Sequence, residues 1–197
     1  MQPNHRLLPW AAIVALMLGG PEGCGYNDVI DADEGCKAAW AEVENQYKRR
    51  ADLVPSLVET VKGAAKFETD TLLKVVEARS NVAGIKLDKD LIDSPERLKQ
   101  FEEAQGKLSG ALSRLMVVVE KYPDLKASAS FQALQAQLEG TENRITVARR
   151  RFILAVQDYN QVVLHFPSML GAKLRGKEVR ATFQGPAGAE NPPEVKF

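Results

Sequence analysis

The sequence has few of the residues that most often carry out catalysis or hold metal ions. Its 197 residues include two histidines and two cysteines. His5 lies at the amino-terminal end, and His165 alone cannot build a histidine-rich metal site or a convincing Ser-His-Asp or Cys-His arrangement. No Glu-x-x-His pair occurs, which excludes a di-iron carboxylate bundle. We therefore predict that the protein is not an enzyme and that it holds no metal ion or other cofactor.

The sequence also lacks an excess of charge of either sign. Lysine and arginine together number 26, and aspartate and glutamate together also number 26. A nucleic-acid-binding surface is normally basic, so this balance argues against DNA or RNA as a partner.

No apolar run reaches the roughly 20 residues that cross a bilayer comfortably. The longest runs from Leu7 to Leu18, follows Arg6, and is typical of the core of an export signal. It ends in Gly23-Cys24-Gly25, which resembles a bacterial lipobox. Three outcomes remain open: a lipid anchor on Cys24, an uncleaved membrane anchor, or ordinary cleavage. Arg6 favours placing everything after Cys24 outside the cytoplasm, facing the periplasm or the cell exterior.

The role of Cys36 depends on this anchor. If Cys24 carries lipid, Cys36 is a single cysteine at a helix-periodic position, and we expect a small buried residue. If Cys24 is unmodified, an oxidising compartment permits a Cys24–Cys36 disulfide.

Three stretches have apolar residues at alternating spacings of three and four, which predicts amphipathic helices. The first helix is expected to kink near Pro55, because proline lacks an amide donor. Its buried stripe comprises Cys36, Trp40, Val43, Tyr47, Ala51, Val54, Val58, Val61 and Ala65, and the pattern resumes at Leu72, Val75 and Val76.

The second helix is predicted to open at Ser94-Pro95 and to stop at Tyr122-Pro123. The third begins near Ser128 or Ser130 and stops at Pro167, and Gly140-Thr141 suggests a close approach of a neighbouring helix. The second stripe comprises Leu98, Phe101, Gln105, Leu108, Leu112, Leu115, Val119 and Tyr122. The third comprises Phe131, Leu134, Leu138, Ile145, Ala148, Phe152, Val156, Tyr159, Val163 and Phe166.

Long helices with one apolar face each bury those faces by packing antiparallel. We predict an all-α protein: a signal or anchor at 1–23, a long bundle of three to four long helices at 24–167, and an irregular tail at 168–197. Within the tail, 179–183 alternates like an extended segment, and Val195 and Phe197 are candidates for docking on the bundle.

Six polar residues recur near the edges of the stripes, and we call them the polar seam: Glu44, Arg49, Arg50, Glu142, Arg149 and Asn160. One interpretation is that they pair between helices and fix the register, with Arg49-Arg50 meeting acids of another helix. The other is a site for a small acidic or zwitterionic ligand near Tyr47.

Several motifs of the sequence resemble the LemA family of bacterial proteins. They are Gly23-Cys24-Gly25-Tyr26-Asn27, the stretch from Trp40 to Gly63, Tyr122-Pro123-Asp124-Leu125-Lys126-Ala127, and the stretch from Leu138 to Arg150. The resemblance implies an amino-terminally membrane-attached protein with a long exported helical bundle, and it implies no established activity. Phe152-Ile153 and Phe67 depart from the family's usual residues, which weakens a ligand role for those positions.

The resulting hypothesis is a non-catalytic, membrane-attached, exported bundle that acts as an interaction or scaffold protein of the cell envelope. Its expected partners are the membrane, through residues 1–24, and unidentified envelope proteins. The alternative is an envelope binding protein that holds a small ligand at the polar seam.

Overall fold

The computed structural model describes residues 26–63, 68–86 and 89–183, and this part of the chain is helical without a β-strand. The prediction of an all-α protein is therefore confirmed. The elements are α1 (Tyr26–Lys62), α2 (Thr69–Ala83), a 3-10 turn (Lys89–Asp93), α3 (Pro95–Val119), α4 (Pro123–Lys126), α5 (Ala129–Leu164) and α6 (Ser168–Leu174). The predictions for the anchor, Cys24, Ala65, Phe67, Val195 and Phe197 concern residues outside these ranges.

Serine side chains start two of the long helices, as the sequence predicted. The Ser94 hydroxyl accepts a hydrogen bond from the Arg97 amide at 3.4 Å, and Pro95 occupies the first turn of α3. The Ser128 hydroxyl accepts from the Phe131 amide at 3.3 Å and begins α5. These bonds satisfy amide donors that have no partner within a helix, which favours beginning the helices at these residues.

Helix α1 continues through Pro55 for 37 residues. Because proline has no N–H, the carbonyl oxygen of Ala51, one turn earlier, loses its usual donor. Arg79 of α2 replaces that donor, with its Nε atom 2.9 Å from the Ala51 oxygen. Arg79 therefore connects α2 to α1 one turn before Pro55. A kink of α1 at Pro55 stays a prediction.

The long helices alternate in direction. Cys36 of α1 contacts Ala155 of α5, and further along α1 Arg50 contacts Glu142, so α1 and α5 run antiparallel. Trp40 packs on Phe101 of α3. Because Arg50 reaches the later residue Gln105 of α3, α3 runs parallel to α1. Helix α2 packs against α1 and α3.

The apolar core falls into two clusters, and a polar layer lies between them. One cluster contains Tyr47 of α1 and Ile145 of α5, whereas the other begins at Val54 and ends at Leu138 on the same helices. The interval between them is occupied by three buried polar residues, Arg50, Gln105 and Thr141. Buried polar side chains have good partners in only a few arrangements, so such a layer fixes how the helices align.

Three details of the predicted stripes are wrong. Phe166 is 76% exposed, because α5 ends at Leu164 and the chain turns toward α6. Val76 is 46% exposed, and α2 instead buries Thr71, Leu72, Val75, Ala78 and Val82. A Cβ atom at Gly140 would meet nothing within 4 Å, so that glycine does not mark a close helix approach.

Among the described residues after α5, part of the predicted tail forms a helix. Residues 168–174 form α6, which packs against α1 and α5. Residues 177–183 then run without regular structure and end at Phe183, which is buried in the core. Among the described helices, none is both long enough and apolar enough to cross a membrane.

Candidate functional site

Arg50 is the centre of the polar layer and the largest fully buried side chain among the described residues, with 1% of its surface exposed. Its Nη1 atom donates to the Ser109 hydroxyl at 2.7 Å and to a Glu142 carboxylate oxygen at 2.9 Å. Its Nη2 atom donates to the side-chain and main-chain oxygens of Gln105. We call Arg50, Gln105, Ser109 and Glu142 the central cluster.

Arg50 lies where the stripe of α1 would otherwise place an apolar residue. The spacing from Tyr47 to Arg50 to Val54 is three and then four, whereas the sequence analysis assigned Ala51 to that position. Ala51 is only half-buried. The guanidinium also lies 5.0 Å from the centre of the Tyr47 ring, which adds a cation–π contact. Helix periodicity therefore carries this charge into the interior, where α3 and α5 provide its partners.

Arg149 joins three helices and residues 177–183, which we call the carboxy-terminal segment. Its Nη1 atom donates to the Tyr47 hydroxyl at 3.1 Å, and its Nη2 atom donates to Glu102 at 2.9 Å. The guanidinium carbon lies 4.1 Å from the centre of the Phe183 ring. Phe183 in turn packs on Phe152 with a centroid separation of 5.3 Å. Arg149 thus lies between the bundle and the last described residue.

A second buried charged group, which we call the carboxy-terminal clasp, comprises Asp33, Asp93, Asn160, Lys177 and Arg180. Arg180 is 6% exposed and contacts a carboxylate oxygen of Asp33 and one of Asp93, each at 2.6 Å. Its guanidinium carbon lies 4.4 Å from the centre of the Tyr159 ring. Burial opposes the charge on Arg180, but Asp93 and Asp33 outweigh it and raise the Arg180 pKa above its ordinary value. The guanidinium is therefore held in its charged form.

Asp33 is the acidic centre of the clasp. Burial alone would raise its pKa. Hydrogen bonds from Lys37, Lys177 and Arg180, together with the charge of Arg180, outweigh burial and hold the Asp33 pKa at about 2. Lys177 Nζ lies 3.1 Å from the carboxylate, so two residues of the final segment meet one residue of α1.

Asn160 and two neighbouring groups complete the clasp. The Asn160 side chain accepts from the Arg180 amide at 2.8 Å and donates to the Arg180 carbonyl oxygen at 3.0 Å, as an adjacent strand would. Cys36 is buried as expected, its thiol donates to the Ala155 carbonyl oxygen, and burial raises its pKa. Burial also raises the pKa of the Tyr159 hydroxyl. None of these groups is activated as a nucleophile or base.

The six residues of the polar seam do not lie in one place. Arg50 and Glu142 meet in the central cluster, Arg149 pairs with Glu102, and Asn160 belongs to the clasp. Arg49 is exposed and Glu44 is half-buried, and neither forms an ion pair with another described residue. The expected contact of Arg49-Arg50 with another helix therefore involves Arg50 alone.

Six residues that make these contacts were not predicted from the sequence: Asp33, Asp93, Glu102, Ser109, Lys177 and Arg180. For Asp33 a signal existed, because Val29, Asp33 and Cys36 continue the α1 stripe backwards at four and three. Arg180 gave no such signal, because the alternation over 179–183 places it with the polar residues. The partners of Arg180 lie far away in the chain. One of them, Asp33, is also bound by Lys177, across 144 residues of sequence.

Two of the grooves between the described helices are lined by charged residues. One, of about 260 Å³, lies between α3 and α5 and includes Ser109 and Glu142 in its wall. The other, of about 560 Å³, lies between α2 and α3 and includes Lys74, Lys107 and Arg114. Within the described ranges, no three histidine, cysteine or acidic side chains come together in a way that could hold a metal ion.

The fold is a helical bundle in which two buried arginines, Arg50 and Arg180, connect segments that are distant in the chain. The family comparison agrees with the resemblance drawn from the motifs, because the LemA family model matches residues 39–197. This match covers most of the chain, and the protein belongs to the LemA family.

Individual relatives are distant. Protein LemA of Metamycoplasma hominis is 26% identical over 141 residues, which cover 71% of this chain and 60% of that protein. Magnetosome protein MamQ of Magnetospirillum gryphiswaldense is 26% identical over 180 residues, covering 83% and 66%. Magnetosome protein MamQ 2 of Paramagnetospirillum magneticum is 25% identical over 206 residues, covering 96% and 76%. The chain thus spans under two thirds of the length of the first two, and none of these names states a catalytic activity.

Proposed function

We propose that this protein is a non-catalytic, membrane-attached helical bundle that contacts other proteins of the cell envelope. Attachment is through residues 1–24, by a lipid on Cys24 or by the apolar segment itself, and the bundle faces the periplasm or the cell exterior. The proposal extends the membership in the LemA family, which by itself assigns no activity.

The observation that carries the proposal is that the two buried arginines, the strongest candidates for binding a ligand, already contact other groups of the protein. Arg50 is 1% exposed, and both of its terminal nitrogen atoms have oxygen partners inside the protein. Arg180 is enclosed by two carboxylates and the Tyr159 ring. A ligand would have to displace these contacts, and leaving a buried charge without a partner is costly.

The shape of the molecule supports a role in spacing or bridging. Helix α1 has 37 residues and α5 has 36, so each extends roughly 55 Å at 1.5 Å per residue. The central cluster joins these two helices about two thirds of the way along α1. A bundle of this length, attached at one end, carries its far end well beyond the membrane surface.

A test of attachment compares three forms of the protein in cell fractions. The full chain is expected with the membranes, and a chain that begins at Gly25 is expected in the soluble fraction. Cys24→Ser distinguishes the two anchors, because it releases a lipid-anchored protein and leaves an apolar anchor in place. Recovery of the full chain in the soluble fraction would contradict the attachment.

A test of the scaffold role uses in-cell photo-crosslinking from exposed apolar positions far from the start of α1. Leu73 and Val117 are 60% and 69% exposed, so a photoreactive amino acid there should not disturb the core. The proposal expects a discrete protein adduct from at least one of them. Absence of adducts from both, in protein that is correctly attached, would count against a protein partner.

The groove between α3 and α5 favours a small-ligand function as the second candidate. It is lined by two partners of Arg50 and by the apolar residues Leu112, Met116 and Leu138. Native mass spectrometry of protein purified from its own membranes tests this function. A bound small molecule that disappears in Ser113→Trp, which fills the groove from an exposed position, would favour the ligand function.

A further inference from the structure

Helix α6 exposes its large apolar residues, whereas an ordinary surface helix buries them. The residues it buries are the small ones, Ser168, Gly171 and Ala172. Its large apolar residues, Leu170 and Leu174, are 53% and 85% exposed. They are four residues apart and therefore lie on one face of the helix.

The turn before α6 carries two further exposed apolar residues. Leu164 is 60% exposed and Phe166 is 76% exposed. The turn is firmly held, because the Ser168 hydroxyl donates to the carbonyl oxygens of Val162 and His165 at 2.7 and 2.9 Å. We call Leu164, Phe166, Leu170 and Leu174 the α6 patch. Four large apolar side chains exposed along one short stretch are characteristic of an interaction surface rather than of an ordinary soluble face.

The position of the α6 patch indicates what covers it. Helix α6 packs against α1, and Lys177, three residues after the end of α6, reaches Asp33 in the second turn of α1. Since helices rise 1.5 Å per residue, Asp33 lies only about 10 Å along the axis from Tyr26, where α1 begins. The 25 residues that precede α1, including the apolar run 7–18, therefore join the bundle at the end that carries the patch.

We propose that the α6 patch is a second membrane contact, which rests on the lipid surface beside the amino-terminal attachment and orients the bundle relative to the bilayer. This inference rests on the attachment in the proposed function and adds a specific surface to it. The occupant is the lipid surface, with the four apolar side chains buried at the boundary between headgroups and acyl chains.

The charges at this end indicate that apolar burial, rather than attraction to anionic lipid, drives the contact. Lys173 of α6 and Arg175 just after α6 are near the patch, but Asp28, Asp31 and Glu34 lie exposed on the first turns of α1. These charges of opposite sign largely offset each other. We therefore expect the contact in vesicles of phosphatidylethanolamine and phosphatidylcholine as well as in vesicles that also contain phosphatidylglycerol.

The test places the photoreactive amino acid p-benzoylphenylalanine at Leu170 or Leu174 in the full chain, reconstituted in both kinds of vesicle. Matched controls carry it at Leu73 or Val117, which are also exposed and apolar but lie roughly 35–40 Å further along the bundle axis. Flotation first establishes whether each protein is bound to vesicles. Mass spectrometry then identifies what the photoreactive group has joined.

Lipid adducts from positions 170 and 174, at least tenfold above those from 73 and 117, are the expected result in both kinds of vesicle. Adducts to a second copy of the chain would overturn the proposal in favour of a dimer contact. Flotation without lipid adducts at α6 would overturn the membrane contact and leave the attachment intact. Failure to float would overturn both. Lipid adducts only with phosphatidylglycerol would overturn the apolar mechanism.

Discussion

Replacement of Arg180 by alanine should release the carboxy-terminal segment from the bundle. Arg180 lies between Asp33 and Asp93, and its side chain is 3% exposed. A hydrogen bond to a charged group contributes about 1.5–3 kcal/mol when buried, and the Asp33 side chain is 8% exposed. The Asp93 side chain is 52% exposed, so its contact contributes about 0–1 kcal/mol. The expected loss is therefore about 1.5–4 kcal/mol.

This loss should appear as local opening rather than as unfolding of the bundle. Asp33 keeps Lys37, which also lies on α1, as a partner when the segment detaches, so the substitution leaves no bare carboxylate in the core. At about 1.4 kcal/mol per tenfold change, about 1.5–4 kcal/mol raises the population of the detached segment roughly 10- to 700-fold. The main-chain amide of residue 180 is a direct reporter, because it is bonded to Asn160 in the docked state.

Hydrogen–deuterium exchange of residues 177–183 measures this population. Arg180→Ala should accelerate exchange in this segment by the factor above, while α1 and α5 near Arg50 exchange as in the wild type. Lys173→Ala removes an exposed cation from the adjoining helix and is the matched control. Equal exchange in Arg180→Ala, Lys173→Ala and wild type would refute the clasp as the contact that holds the segment.

Three further predictions concern the remaining charged and buried groups. Because folding lowers the Asp33 pKa from 3.8 to about 2, Asp33 contributes about 2 kcal/mol to stability above roughly pH 4, and this contribution is lost as the pH falls toward 2. Asp33→Asn should therefore flatten the dependence of the urea midpoint on pH between these values, and an unchanged slope would contradict the pairing. The buried Cys36 thiol should resist alkylation until urea unfolds the protein, and rapid labelling of Cys36 in the native state, located by peptide mapping, would be inconsistent with its burial. Arg149→Ala should lower the free energy of unfolding by about 1–3 kcal/mol, because Glu102, Tyr47 and Phe183 lose a shared partner. Arg151→Ala, at an exposed position, should cost less than about 0.5 kcal/mol, and equal costs would contradict the role of Arg149 in joining these residues.

Helix periodicity made much of the fold predictable. The stripe of α3 from Leu98 to Val119 is buried throughout, and the serine caps of α3 and α5 begin those helices. These features depend on residues within a few turns of one another. A pattern read along the chain therefore contains the information that they need.

The charged clusters were less predictable because their geometry depends on contacts between distant segments. The polar seam identified Arg50, Glu142, Arg149 and Asn160, but their division between a central cluster and a clasp depends on Glu102, Ser109 and Arg180. The sequence pattern could not show that residues after α6 return to the first turns of α1. The short helix α6 was missed for a related reason, since its buried residues are small rather than apolar and bulky.

The most direct test of the account compares two adjacent arginines of α1. Arg50 is 1% exposed and joins α1 to α3 and α5, whereas Arg49 is exposed. Arg50→Ala removes a large buried side chain and leaves Gln105, 3% exposed, without its main partner, at an expected cost of about 3–5 kcal/mol. Arg49→Ala should cost less than about 0.5 kcal/mol.

Urea unfolding of the chain from Gly25 onward, followed by circular dichroism, measures both substitutions. With a slope of about 2 kcal/mol per molar urea, Arg50→Ala should lower the midpoint by about 1.5–2.5 M and Arg49→Ala by less than about 0.25 M. The account predicts this difference, because it assigns the buried arginine to packing between helices. Equal midpoints for the two variants and the wild type would contradict it and would favour a binding role for the central cluster.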